Sequence, residues 1–179
     1  GYIGSHFYRH ATKQGHEVAV LDNFSTGFRQ SLPTEAKVYE ADIRNTDLVV
    51  AALKDFKPDV VLHYAAFSFV GESVAQPKKY MDNNVGGMKS LLEALSKSTP
   101  VPVVFSSTCA VYGNPPQIPV DENAPIAPMS PYGESKVLCE EELNKYCNQT
   151  SKPAFALRYF NACGADSDGG IGESHFPTQ

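Results

Sequence analysis

The sequence predicts a doubly wound α/β fold built on a parallel sheet, and three observations carry that expectation. From Gly1 to Phe160, short β-branched runs alternate with stretches of helical periodicity. Several runs are apolar on consecutive residues, among them Val18-Ala19-Val20-Leu21, Val60-Val61-Leu62 and Val101 to Phe105, as strands covered on both faces require. The segments between them repeat apolar residues at spacings of three and four, so each can bury one helical stripe.

In chain order, Gly1-Tyr2-Ile3-Gly4 opens a helix whose stripe is Ile3, Phe7 and Ala11. Strands follow at His16–Asp22 and Lys37–Asp42. A helix over Val49, Ala52, Leu53 and Phe56 leads to a strand at Pro58–His63. The long segment Ser73 to Ser98 is apolar at Leu91, Leu92 and Leu95, and Gly86-Gly87 inside it predicts a kink or two joined helices. A strand at Val101–Ser106, a helix carrying Cys139, Leu143, Tyr146 and Cys147, and a strand at Pro153–Tyr159 complete the alternation. After Asn161 the chain turns glycine-rich and loses all periodicity. The expected organisation is therefore one nucleotide-binding-sized domain over 1–163, with 164–179 a linker.

Composition narrows the function classes. The chain has 179 residues, 42% of them hydrophobic and 20% charged, which excludes a disordered polyampholyte. Its formal charge of −5 and the absence of any basic cluster denser than Lys78-Lys79 argue against nucleic acid as a partner. No apolar run approaches the roughly 18 residues of a membrane span, so no membrane partner is expected. The four cysteines, Cys109, Cys139, Cys147 and Cys163, form no C-x-x-C pair. Neither a metal site nor a disulfide framework follows, and free thiols in a reducing cytoplasm are the expectation.

Two constellations carry chemistry. A glycine turn opening a helix lets the backbone approach a pyrophosphate, whose charge meets the free N–H groups and positive dipole of the helix end. Asp22 ends the next strand 18 positions after Gly4, close to the spacing at which a carboxylate meets adenosine ribose hydroxyls. No Arg or Lys follows until Arg29, which favours NAD over NADP. Asp42-Ile43, ending the following strand, could flank the adenine, and an Asp there is equally a common helix cap. The second constellation is Tyr132-Gly-Glu-Ser-Lys136, where Tyr at i and Lys at i+4 share a helical face. An ammonium beside the phenol would favour its ionised form, and a phenol must drop by roughly 3 pKa units to act as a base near neutrality. Nine tyrosines, with lysine at 11 of 179 positions, predict about 0.55 such pairs by chance, and one is found. Its position argues for function, because Ser106-Ser107-Thr108 ends the preceding strand, where open α/β sheets place ligands. His63, at another strand end, reads as a packed, hydrogen-bonded residue.

Taken in order, G-Y-I-G-S-H, L-D-N-F-S-T-G, A-D-I, H-Y-A-A, V-G-E-S-V, D-N-N-V, S-S-T-C-A-V-Y-G, P-Y-G-E-S-K and L-R-Y-F-N resemble the extended short-chain dehydrogenase/reductase family, within it the branch that epimerises sugar nucleotides. The resemblance implies a Rossmann-type sheet whose first strand precedes Gly1 and whose smaller C-terminal substrate domain starts near the end of this chain. It thus implies a piece of a protein nearer twice this length, inactive alone and a homodimer when complete. Bound NAD would serve in the 4-epimerisation of UDP-galactose to UDP-glucose through a transient 4-keto sugar.

The site residues follow position by position from the resemblance. Tyr132 would be the acid/base, Lys136 its pKa-lowering partner and a ribose contact, and Thr108 the contact to the sugar 4-hydroxyl. Gly1, Tyr2, Ile3 and Gly4 would lie along the pyrophosphate. Asp22, Asn23, Phe24, Ser25, Thr26 and Gly27 would surround the adenosine ribose, and Asp42 and Ile43 the adenine. Tyr64, Ala65, Ala66, Phe67, Ser68 and Asn83 would line the cofactor, with Phe160 and Asn161 where cofactor and UDP-sugar meet. Related dehydratases carry an Asp-Glu pair after the Thr, whereas this chain has Cys109 and Ala110, which cannot serve elimination as carboxylic acids. UDP-pentose, UDP-N-acetylhexosamine and UDP-glucuronate epimerases stay open, as does a non-catalytic NAD-binding protein, which would be expected to lose Tyr132 or Lys136.

Overall fold

The computed structural model describes residues 1–174. The chain divides into two compact units, Gly1–Asp42 with Asn161–Gln179, and Ile43–Phe160. The end of the segment expected as a linker, 175–179, lies outside the described residues.

In the first unit, helix α1 (Tyr2–Lys13) buries Ser5, Tyr8 and Ala11. Ile3 and Phe7 flank this stripe half-buried, so the buried face is rotated from the apolar spacing. Strands β1 (Ala19–Asp22) and β2 (Lys37–Glu40) pair in parallel, with Ala19 opposite Lys37 and Asp22 opposite Glu40. Residues 161–174 form no helix or strand, as their glycine content predicts, yet they are folded. Ile171 is buried, and Asp166 pairs with Arg9 of α1 at 3.1 Å. The Tyr2 hydroxyl donates to the Gly164 carbonyl at 2.7 Å.

In the second unit, β3 (Val61–His63), β4 (Val103–Thr108) and β5 (Ala154–Tyr159) form a parallel sheet with β4 central. Helix α2 (Thr46–Phe56) starts where the Asn45 side chain accepts the Leu48 N–H at 3.2 Å, a cap for a first-turn donor. The long segment breaks at Gln76. Before it runs α3 (Val70–Ala75); after it, α4 (Pro77–Tyr80), a π turn (Met81–Val85) and α5 (Gly86–Lys97) follow without a gap. The irregularity expected at Gly86-Gly87 thus falls one turn earlier, at the asparagines, because Asn84 has bonds to make elsewhere. Helix α6 (Pro131–Thr150) begins with Pro131 and the Ser130 hydroxyl accepting the Gly133 N–H at 3.1 Å. The core is Val49, Tyr80, Met88, Leu95, Val103, Phe105 and Val111, each at most 2% exposed. At roughly 1.5–3 kcal/mol per buried large apolar side chain, this cluster is what the sheet and helices of the unit gain by meeting. The edge strand β5 leaves Phe155 and Leu157 exposed, and Val60, expected in a strand covered on both faces, is exposed just before β3. Among the described residues no helix is long and apolar enough to cross a membrane.

Candidate active site

Strand β4 ends at Thr108 and turns into a 3-10 turn, Cys109–Tyr112, whose Ala110 N–H is capped by the Thr108 hydroxyl oxygen at 3.2 Å. Helix α6 begins against that turn because Gly133 has no side chain: a Cβ there would stand 2.8 Å from the Ala110 carbonyl oxygen. The approach brings Tyr132 within a hydrogen bond of Thr108. One turn along α6, Lys136 is 3% exposed and its Nζ donates to the Ser106 carbonyl at 2.8 Å. Three candidates from separate stretches of sequence, Thr108, Tyr132 and Lys136, therefore meet at the C-terminal end of the central strand.

The electrostatics differ from the expectation drawn from spacing. Lys136 Nζ sits 5.9 Å from the centre of the Tyr132 ring and 4.7 Å from that of Phe105, and its bond goes to a backbone carbonyl. Burial lowers its pKa to about 8. Burial also raises the Tyr132 phenol above its ordinary value, a rise opposed by the Thr108 hydrogen bond. Loss of hydration sets the direction for the phenol, and the neighbours that modify it are Thr108, which lowers it, and Cys109, which raises it. His63 is 4% exposed, stacks on Phe105 at 5.4 Å and is held near pKa 3 by burial and by Lys136. It is a neutral packing residue.

The segment following β3 is fixed by a residue that sequence reasoning passed over. Asn84, buried in the π turn, accepts the Phe67 N–H at 2.9 Å and donates to the Phe67 carbonyl at 3.0 Å. It also donates to Ser135 of α6 at 3.1 Å and accepts from Asn83 at 3.1 Å. A side-chain amide answering both groups of one residue copies a strand partner, which anchors a stretch with no ladder of its own. Its place in the sequence is the D-N-N-V stretch, where Asn83 was the residue expected near the cofactor. Tyr64, half-buried, has its phenol pushed up to about 12 by burial and by Tyr159. Ala65, Ser68 and Phe160 are exposed, while Ala66 is half-buried.

In the first unit the candidates also gather. Asp22 Oδ1 accepts the Phe24 N–H at 2.7 Å, which supports Phe24 in a left-handed conformation at φ +50°. Asn23 Oδ1 accepts the Ser25 N–H, and its amide donates to Asp42 at 3.2 Å. The turn then passes Thr26 and returns to Gly1: a Cβ on Gly27 would lie 3.0 Å from the Gly1 nitrogen and 3.5 Å from Asp22 Oδ2. Tyr2, Ile3 and Gly4 form the first turn of α1, whose start has no side-chain cap, so its N–H groups are available to an anion. Glycine turn, acidic strand end and helix start together form a set of donors and acceptors suited to a dinucleotide's pyrophosphate and ribose. Ile43 is buried in the second unit and Asn161 is exposed in the first.

The model of the NAD dependent epimerase/dehydratase family matches residues 1–179. The UDP-glucose 4-epimerase of Lactobacillus helveticus is 48% identical over 177 residues, covering 99% of this chain and 54% of that protein. That of Streptomyces lividans is 45% identical over 167 residues, 93% of this chain and 51% of that protein. Among solved structures, UDP-glucose 4-epimerase from Brucella ovis in complex with NAD superimposes with a TM-score of 0.97 at 41% identity, covering 100% of this chain and 55% of that one. The Bifidobacterium longum enzyme in complex with NAD+ and UDP gives 0.92 at 32% identity, covering 98% and 55%. The chain spans about half the length of the curated relatives it matches. With a parallel α/β architecture, a glycine turn answered by an acidic strand end, and Thr108, Tyr132 and Lys136 joined at the end of β4, it belongs to the NAD-dependent epimerase/dehydratase family.

Proposed function

We propose that the complete protein is a UDP-hexose 4-epimerase that interconverts UDP-galactose and UDP-glucose with bound NAD. The observation that carries this reading is the cluster of buried Thr108 and Lys136 with half-buried Tyr132, followed by Cys109 and Ala110 where elimination would need carboxylic acids. The relatives named UDP-glucose 4-epimerase support the substrate. Gly1 to Gly4, Asp22 to Gly27 and Asp42 suit the adenosine diphosphate portion of NAD; Tyr64 to Ser68, Asn83 and Lys136 suit the nicotinamide portion.

NAD held by these residues would supply the hydride acceptor and donor for sugar C4. Tyr132 removes the 4-hydroxyl proton and later restores it, with Thr108 holding that hydroxyl. Lys136, cationic below about pH 8, supplies positive charge near the phenol and a donor to the ribose. Burial keeps bulk water away from the 4-keto sugar and strengthens each of these interactions. Phe160 and Asn161 contact the UDP-sugar. The protein acts as a homodimer through the helices around 73–98 and 132–150, in a reducing cytoplasm that suits its four free cysteines.

The test mixes the complete purified protein with UDP-galactose and no added cofactor, following UDP-glucose by chromatography and reduced nicotinamide by absorbance. UDP-glucose formed without net accumulation of NADH is the expected result. No product from UDP-galactose removes the hexose assignment, and an absence of bound NAD as well removes catalysis.

A further inference from the structure

Glu140 lies four residues beyond Lys136 on α6, so Tyr132, Lys136 and Glu140 share one helical face at successive turns. Its carboxylate is fully engaged. Oε1 accepts from Arg158 Nε at 3.1 Å and from the Ser107 hydroxyl, and Oε2 accepts from Arg158 Nη2 at 2.6 Å. The third guanidinium nitrogen, Nη1, donates to the Tyr112 hydroxyl at 2.8 Å, with the guanidinium carbon 4.9 Å from the centre of the Tyr112 ring. The pair is largely enclosed, with side chains 12% exposed for Glu140 and 22% for Arg158.

The two residues it grips beyond itself bracket the candidate active-site turn. Ser107 precedes Thr108, and Tyr112 closes the 3-10 turn that Thr108 caps. We infer that the Glu140–Arg158 pair is a positioning element for Thr108, holding the end of β4 and its turn at both ends so that the Thr108 hydroxyl meets Tyr132 and the sugar in register. The inference rests on the epimerase reading for its activity readout. An ion pair kept only for stability could be exchanged for apolar side chains of similar volume, as enclosed pairs often can. A positioning pair cannot, because its work is done by directed bonds: guanidinium nitrogens point at fixed angles to two elements, and only a carboxylate accepts from both Arg158 and Ser107.

The test is made in the complete protein. The double variant Glu140→Gln with Arg158→Met removes both charges without leaving one unpaired, and Tyr112→Phe removes one bond and keeps the ring. Three quantities are read: kcat and KM for UDP-galactose, bound NAD per subunit, and amide hydrogen exchange across residues 107–113. Expected are full NAD content, KM within twofold of the parent, kcat lower by tenfold or more in the double variant and by several-fold in Tyr112→Phe, and exchange faster by tenfold or more in 107–113 with α5 unchanged. A double variant with parental kcat and parental exchange overturns the inference. If the double variant does not fold, Tyr112→Phe with Ser107→Ala decides, and parental kcat with parental exchange there overturns it equally. A parent protein that does not turn over UDP-galactose removes the epimerase reading instead, and exchange in 107–113 then decides the positioning role alone.

Discussion

The two units hold their candidate residues by opposite means. In the first, Asp22 at the end of β1, Asn23 and the turn to Gly27 are half-exposed or exposed, joined by bonds between residues two apart and one longer bond to Asp42. In the second, Thr108 and Lys136 are buried, and Tyr132 packs edge-on against the fully buried Tyr80 at 6.4 Å. Proton transfer gains from a low-dielectric surround in which a hydroxyl, an ammonium and a phenol act without competing water. Binding a polyanionic dinucleotide instead needs backbone N–H groups and a carboxylate left facing outward, and burying them would cost their hydration. One region encloses its candidate groups, the other leaves them facing outward in a fixed arrangement.

That contrast predicts separable effects. The largest is expected from Tyr132→Phe in the complete protein, which removes the hydroxyl proposed to exchange the sugar proton. kcat should fall by about 10³-fold, within the range general acid–base groups supply, while bound NAD per subunit stays at the parental level. Loss of NAD from this variant would show that the second unit also determines cofactor retention.

A smaller effect is expected from Asp22→Asn, which replaces a charged acceptor by a neutral one. NAD affinity should weaken roughly tenfold, as for loss of one charge-assisted hydrogen bond, with kcat at saturating NAD within twofold of the parent. Titration of stripped protein with NAD, followed by protein fluorescence, measures the first quantity, and steady-state assay the second. A tenfold fall in kcat at saturation would break the division between the units.

The smallest effect concerns pH and the buried unit alone. His63 is held near pKa 3 in the fold against about 6.5 when unfolded, so between those values the unfolded chain binds the extra proton. Stability is therefore intact above about pH 6.5 and falls as pH drops toward 3, with a slope from this group approaching about 1.4 kcal/mol per pH unit. His63→Phe keeps the ring on Phe105 and removes the titration. Denaturant midpoints at pH 7 and pH 4.5 should differ less in this variant than in the parent, and an equal difference would show that other groups carry the acid limb.

Much of the buried unit was legible before any coordinates. Consecutive apolar residues at Val101–Phe105 announce a strand of a covered parallel sheet, those at Val60–Leu62 announce a strand whose Val60 the structure leaves exposed, and Tyr132 with Lys136 at i and i+4 announces a shared helical face. Asp22 was legible from its distance to the glycine turn. Glu140 could have been added to the same stripe by one more step of four. Arg158 and Ser107 could not, since nothing in their spacing relates them to α6. Asn84 was hidden because its partner is a backbone 17 residues away and its place is a π turn that no periodicity marks.

The order of elements, their parallel pairing and the placement of Tyr132 and Lys136 on one helical face were determined by the sequence alone, because periodicity and local spacing act within a few residues. Tertiary structure decided the electrostatic state of that pair. Burial by residues far away in the chain raises the Tyr132 phenol, lowers the Lys136 ammonium and sends its proton toward the Ser106 carbonyl. A pKa answers to everything packed around the group, and which neighbours those are is settled only when the strands and helices meet.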